Sequence, residues 1–257
     1  MKKIIYILGL SYSGSTILDL LLGLHPRIFG FGELNLVYKE QIDFKKRYCS
    51  CGKKISKCSF WKGFKIDYQK EGHEDFYNKF VKYFYNKKDS TDIILDSSKK
   101  LSNLKKVKKY FPKTEIKVIF LIRDVRGFSL SMYRHRGKTK LMIPFYQAGW
   151  LYKNKKYKKF LQKNSFDYLL VSYESLCLNK NNTLKKICNF LNIDFSEKLL
   201  KTPQKSSSHI ISGNSVRNDN KRKKAIKYDS RWFQEGFVNF CYSINPILVH
   251  WNNKNIY

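Results

Sequence analysis

"KIIYILGLSYSGSTILDLLLGLHP", residues 3–26, decides how the rest of the chain is read. Residues 3–8 form a short, largely β-branched apolar run ending at Gly9, the pattern of a buried strand. From Gly14 the spacing turns helical, and Pro26 stops it. Between them, Gly9 and Gly14 of "GLSYSGST" have the spacing of a P-loop, whose backbone N–H groups wrap an anion at the positive end of a helix. A nucleotide triphosphatase carries a lysine directly after the second glycine, where it reaches the β- and γ-phosphates. Here Ser15 stands in that place. The loop therefore suits a single phosphate carrying one further anionic group, not a triphosphate.

Outward from this unit, the strand pattern returns at 92–95 ("DIIL"), 117–122 ("KVIFLI") and 167–173 ("DYLLVSY"). Helical patterns at 101–111, 126–136, 144–163 and 182–191 separate them. Strands alternating with helices predict an α/β fold, a P-loop-type parallel sheet with helices on both faces, in a single domain over 1–257. Ligands of such sheets bind beyond the carboxyl ends of the strands. Residues 34–90 break the alternation with a cysteine cluster and many aromatics, and are expected to be an insertion beside the site.

With 257 residues, 42% of them hydrophobic, the chain can build a proper core. Its formal net charge of +31 raises a nucleic-acid or membrane-surface reading. The lysines are scattered over the whole length, however, and accompany abundant Asn, Ile, Tyr and Phe, as in an AT-rich coding sequence. No nucleic acid is expected as a partner. "MKKIIYILGL" imitates a signal peptide, but its apolar run is too short to span a bilayer and leads straight into the glycine loop. No transmembrane segment and a cytoplasmic location are expected. Cys177, Cys188 and Cys241 lie in apolar surroundings and read as buried thiols. Cys49, Cys51 and Cys58 cluster in "CSCGKKISKC". They could be plain thiols or hold zinc with His73 as a fourth ligand, although one residue between Cys49 and Cys51 is tighter than usual zinc spacing. No metal is expected.

The loop resembles that of the PAPS-dependent sulfotransferases, a P-loop without the lysine, often "RSGTT" or "SGST". Ser13, Gly14, Ser15 and Thr16 match it, with Ser11 and Tyr12 leading in. Tyr12 stands where many members carry an arginine. A second match is "LIRDVRGFSLS": Arg123 ends a strand and Ser131 follows eight residues on, the pair with which the family grips the donor's 3′-phosphate. A guanidinium and a hydroxyl are suited to that task. "SSSHIISGNSVRND" resembles the family's nucleotide-closing loop, which would make Gly213, Asn214 and Arg217 donor contacts, with His209 a further one. The resemblance implies transfer of a sulfuryl group from 3′-phosphoadenosine 5′-phosphosulfate (PAPS) to a hydroxyl-bearing acceptor. Adenosine 3′,5′-bisphosphate would be the spent donor, and no metal would be required.

Such a transfer needs a base for the acceptor proton and positive charge where the phosphate leaves. Glu33 in "FGFGELN" matches the Gly-Glu segment of tyrosylprotein and related sulfotransferases and is the candidate general base, with apolar Phe29, Phe31 and Leu34 around it. His25 is the second candidate, though a histidine before proline at a helix end also suits capping. Lys99 in "DIILDSSKK", with Lys100 beside it, resembles the family's "DSSK" stretch and would stabilise the leaving phosphate. Asp96 also fits a Walker B strand, which keeps a Mg²⁺-dependent kinase or ATPase as the rival class, ahead of a basic nucleic-acid-binding protein. Sugars, lipids, small alcohols and tyrosine hydroxyls all remain possible acceptors, with contacts expected from 34–90 and 138–160. The sequence leaves the oligomeric state unread.

Overall fold

The computed structural model describes residues 2–89, 91–136, 139–213, 215–219 and 226–257. It is an α/β fold whose five strands form one parallel sheet in the order β2-β3-β1-β4-β5, flanked by helices. The strands are β1 (Lys3–Gly9), β2 (Ile28–Gly30), β3 (Ile93–Lys99), β4 (Glu115–Ile122) and β5 (Tyr168–Ser172). The helices are α1 (Ser15–Leu22), α2 (Leu34–Lys39), α3 (His73–Lys87), α4 (Leu101–Tyr110), α5 (Val125–Arg136), α6 (Ile143–Lys163), α7 (Tyr173–Leu178), α8 (Lys180–Leu191), α9 (Gly236–Ser243) and α10 (Pro246–Ile256). The chain divides into two compact units, each gathered from separate stretches of sequence.

The first unit holds Met1–Leu8, Thr16–Val118 and Phe195–Ile226. In it β3 pairs in parallel with both β1 and β2, so that Ile93 lies opposite Lys3 on one side and Ile28 on the other. β1 and β3 are buried almost throughout, which suits the apolar runs at 4–8 and 93–95, while the buried end of β3 carries the polar Asp96, Ser97 and Ser98. The register of β1 against β3 slips between Tyr6 and Leu8, opposite the Asp96–Lys99 stretch. Such a slip re-aims side chains at a strand end. Residues 34–90 supply α2, two short 3₁₀ turns and α3. Phe76, Phe80 and Phe84 of α3 pack with Phe31, Phe60, Trp61 and Phe64 as an aromatic cluster.

The second unit holds Gly9–Ser15, Ile119–Asp194 and Lys227–Tyr257. Leu130 of α5, Ile143 of α6 and Val238 and Cys241 of α9 bury a common core with Trp232. α10 closes this unit against α5, because Asn252 accepts from the Val125 N–H and donates to Asp124. Among the described residues, no helix is long and apolar enough to cross a membrane.

Candidate active site

The loop between β1 and α1 begins at Gly9, where an added Cβ would lie 2.5 Å from the Leu121 carbonyl oxygen. Tyr12 has a positive φ of 66° and Gly14 one of 91°. At Gly14 a Cβ would fall 2.8 Å from the Tyr173 ring, so a bare backbone is required on both counts. Ser11 is exposed and Tyr12 half-buried, whereas Ser13, Ser15 and Thr16 are buried. A loop of this kind offers an anion its backbone N–H groups and the start of the following helix. The Tyr12 ring stacks on His135, 4.8 Å between centroids.

Arg123, at the end of β4, turns its guanidinium back toward this loop. Nη1 donates to the Tyr12 carbonyl at 3.0 Å and to Ser131 Oγ at 3.3 Å, joining three of the residues singled out in the sequence. The guanidinium lies over the Tyr173 ring, 4.7 Å from its centroid. Its carboxylate partner is Asp229 at 2.8 Å. Asp124, the neighbour that could have neutralised it, instead pairs with Arg126 at 2.7 Å and accepts from Asn252 and Tyr257. Arg231 and Arg123 together hold the Asp229 carboxyl well below the usual range, so it stays anionic. Arg123 Nε is buried with no hydrogen-bond partner among the described residues, an unmet donor beside the glycine loop.

A second constellation lies in the first unit. Lys99 ends β3 with a φ of 64°, uncommon for a residue with a side chain, and its Nζ donates to Glu33 Oε1 at 2.7 Å. Glu33 was expected in apolar surroundings. Its carboxylate instead meets this ammonium, because the slipped end of β3 carries Lys99 to it. Gly213, with φ 102°, is the close neighbour on another side, where a Cβ would lie 3.0 Å from Glu33 Oε1. Arg217 donates to the Gly213 carbonyl, and Ser212 Oγ donates to the Glu33 carbonyl at 2.7 Å. Asn214 lies outside the described residues. His25 sits buried in the turn after α1, where its Nδ1 accepts from the Arg27 N–H at 3.2 Å.

Asp96, the basis of the rival reading, is occupied. Its two carboxylate oxygens accept from Ser98 N and Oγ and from the Tyr77 hydroxyl, and the group is buried. Burial pushes its pKa up to about 6, the reverse of a carboxylate prepared for Mg²⁺.

Residues 5–197 match the family model described as "Sulfotransferase family". The chain belongs to the sulfotransferase family. The fold is similar to that of the sulfotransferase domain from the curacin biosynthetic pathway (TM-score 0.60, 17% identity, covering 95% of this chain and 97% of that one). It is also similar to the sulfotransferase domain from the Synechococcus PCC 7002 olefin synthase (TM-score 0.51, 19% identity, covering 96% and 86%). At these identities the likeness speaks for the fold alone. No curated protein matches the sequence significantly.

In this sulfotransferase, Asp229 and Tyr173 border the candidate anion pocket without any local sequence signal. Asp229 is 106 positions from Arg123, and Tyr173 reads simply as the last apolar residue of a strand. Asp19 was also missed. Buried in α1, it accepts from Gly32 N, Ser97 Oγ and Ser208 Oγ, and so ties the segment leading into Glu33 to β3. His209 and His73, offered as a nucleotide contact and a zinc ligand, are placed differently. His209 Nδ1 lies 3.7 Å from Cys49 Sγ and 3.2 Å from Cys58 Sγ. His73 hydrogen-bonds Tyr110 and Asn35.

Proposed function

We propose that this family member moves a sulfuryl group from PAPS to a hydroxyl-bearing acceptor, with Glu33 as general base. The observation that carries the reading is the return of Arg123 from the end of β4 to the Tyr12 carbonyl and Ser131 Oγ. A bidentate cation and a hydroxyl then stand beside a lysine-free phosphate loop. The orphaned Nε of Arg123 fits an anionic ligand at the same place. In this reading Ser11 to Thr16 hold the 5′-phosphosulfate, and Arg123 with Ser131 hold the 3′-phosphate. Gly213, Asn214 and Arg217 would border the nucleotide.

In the transfer, the acceptor oxygen bonds to sulfur as the bond from sulfur to the bridging phosphate oxygen breaks. The electron pair leaves with adenosine 3′,5′-bisphosphate, and the acceptor proton passes to the Glu33 carboxylate. Lys99 supplies positive charge to the departing phosphate, a role supported by its placement on Glu33 at 2.7 Å. Glu33 as base is preferred to His25, whose Nδ1 already accepts from Arg27 N–H. Residues 34–90 and 138–160 remain the segments proposed to contact the acceptor, and 1–257 is read as one catalytic domain. The proposed setting is the cytoplasm, where six thiols in a chain of 257 residues are ordinary. No metal enters this chemistry.

Calorimetry in magnesium-free buffer tests the donor assignment. Adenosine 3′,5′-bisphosphate should bind more tightly than ATP, and Arg123→Ala should weaken the bisphosphate by about 10- to 100-fold, the loss of one or two charge-assisted hydrogen bonds. An unchanged affinity in Arg123→Ala removes the arginine's role. Tight ATP binding without bisphosphate binding overturns the reading as a whole.

A further inference from the structure

Residues 48–58 and 206–213 meet in a second cluster that the transfer reaction does not use. Tyr48 and Lys54 form an isolated antiparallel bridge, with Cys49 N donating to Lys53 O and Gly52 N to Cys49 O, both at 2.9 Å. Gly52 takes a φ of 84° with open space where a Cβ would be, so the chain reverses within a few residues. This tight turn brings together the sulfurs of Cys49 and Cys51, whose spacing looked too short in the sequence. A 3₁₀ turn at Ile55–Lys57 then delivers Cys58. We propose that Cys49, Cys51, Cys58 and His209 form a tetrahedral zinc site, with three thiolates and His209 Nδ1 as ligands.

The four ligand atoms lie within 4.8 Å of one another. Zn–S bonds of about 2.3 Å and a Zn–N bond of about 2.0–2.1 Å set tetrahedral edges of roughly 3.8 Å between sulfurs and 3.6 Å from sulfur to nitrogen. Cys51 Sγ is 3.8 Å from Cys58 Sγ, and His209 Nδ1 is 3.7 and 3.2 Å from Cys49 and Cys58. Three soft thiolates and an imidazole select zinc over magnesium or calcium. The surroundings hold the ligands in place as structural metal sites require. The Cys51 and Trp61 N–H groups face the Cys49 and Cys58 sulfurs. The His209 backbone N–H donates to the Gly30 carbonyl and its backbone carbonyl accepts from Trp61 Nε1, both at 2.7 Å, while its ring stacks on Phe60. Ser50 clasps the neighbours on either side, donating to Ser208 O and accepting from Ile210 N. Cys49 and Cys58 are buried and Cys51 is exposed, which leaves a way in for the ion.

The site has a structural task. It fastens the 206–213 strap, which bonds the Glu33 carbonyl through Ser212 and lies against the Glu33 carboxylate at Gly213. The ion therefore positions this strap and takes no part in the transfer.

Elemental analysis of protein purified from zinc-supplemented culture should find about one zinc per chain. Cobalt added to the metal-stripped protein should give the intense visible bands of a tetrahedral thiolate complex. Cys51→Ser, at the exposed ligand, should lower zinc affinity by about 100-fold or more, whereas His209→Cys and His73→Ala should keep the metal. Metal-free protein with six titratable thiols and no cobalt bands would sink the proposal. So would a Cys51–Cys58 disulfide found by mass spectrometry, or loss of metal on His73→Ala. None of these measurements involves a nucleotide, so their failure is separate from failure of the donor assignment.

Discussion

Glu33 and Lys99 stand 66 positions apart and make a largely shielded ion pair, with side chains 11% and 12% exposed. In the proposed transfer, such a pair would hold the carboxylate in register for the acceptor proton and the ammonium ready for the charge on the leaving phosphate. Glu33→Gln preserves the shape and a carbonyl oxygen for Lys99 but cannot take the proton. Transfer of labelled sulfate to an alcohol found by acceptor screening should fall by roughly 10²–10⁴, with bisphosphate affinity nearly unchanged. Near-normal turnover would return the base role to His25. The glutamate was legible through its Gly-Glu segment, and Lys99 through "DSSK". Their pairing was not, because the slip of β3 against β1 decides which way Lys99 points.

At the scale of elements, the strand–loop–helix unit from Lys3 to Leu22 depends on the left-handed backbone at Gly14, with the Tyr173 ring against it. Gly14→Ala should cost about 1–3 kcal/mol, or several degrees in a thermal melt, and should distort the loop enough to weaken bisphosphate binding. A melt and a titration indistinguishable from wild type would show the loop to be more yielding than described. α1, α4, α5, α6 and α8 announce themselves by helical periodicity. α3 carried the same signal in Phe76, Phe80 and Phe84, but the aromatics and cysteines before it obscured the period. β2 is only three residues long, too short to alternate or to form a run. The last forty residues cap the start of α5 through Asn252 and provide Asp229 to Arg123.

Among the described residues, Asp19, Glu174 and Asp96 are carboxyls buried at a cost. Desolvation pushes Asp19 and Glu174 up to about 7 and Asp96 to about 6. A raised carboxyl binds its proton more tightly in the native state than when unfolded, so stability falls as pH rises from about 4 to about 7. For Asp19 alone the loss is on the order of 4 kcal/mol at most. His73, lowered to about 4 by burial and Lys106, acts the other way between about pH 4 and its usual 6.5. Asp19→Asn separates the two effects. Its amide can donate to Ser208 Oγ, whose hydroxyl retains the carbonyl of residue 19 at 3.2 Å. Denaturant midpoints should show this variant gaining on wild type from about pH 5 to about pH 8, and a constant difference would remove Asp19 as the cause. The sequence alone determined the lysine-free glycine loop, the α/β alternation and the spacing that lets Arg123 meet Ser131, because each rests on contacts within a strand, a turn or a few helical turns. Only the tertiary structure decided that Asp229 neutralises Arg123, that Lys99 meets Glu33 and that His209 joins the three cysteines. Those partners lie 66 to 160 positions apart, and no local preference of the chain can express which distant segment will fold against it.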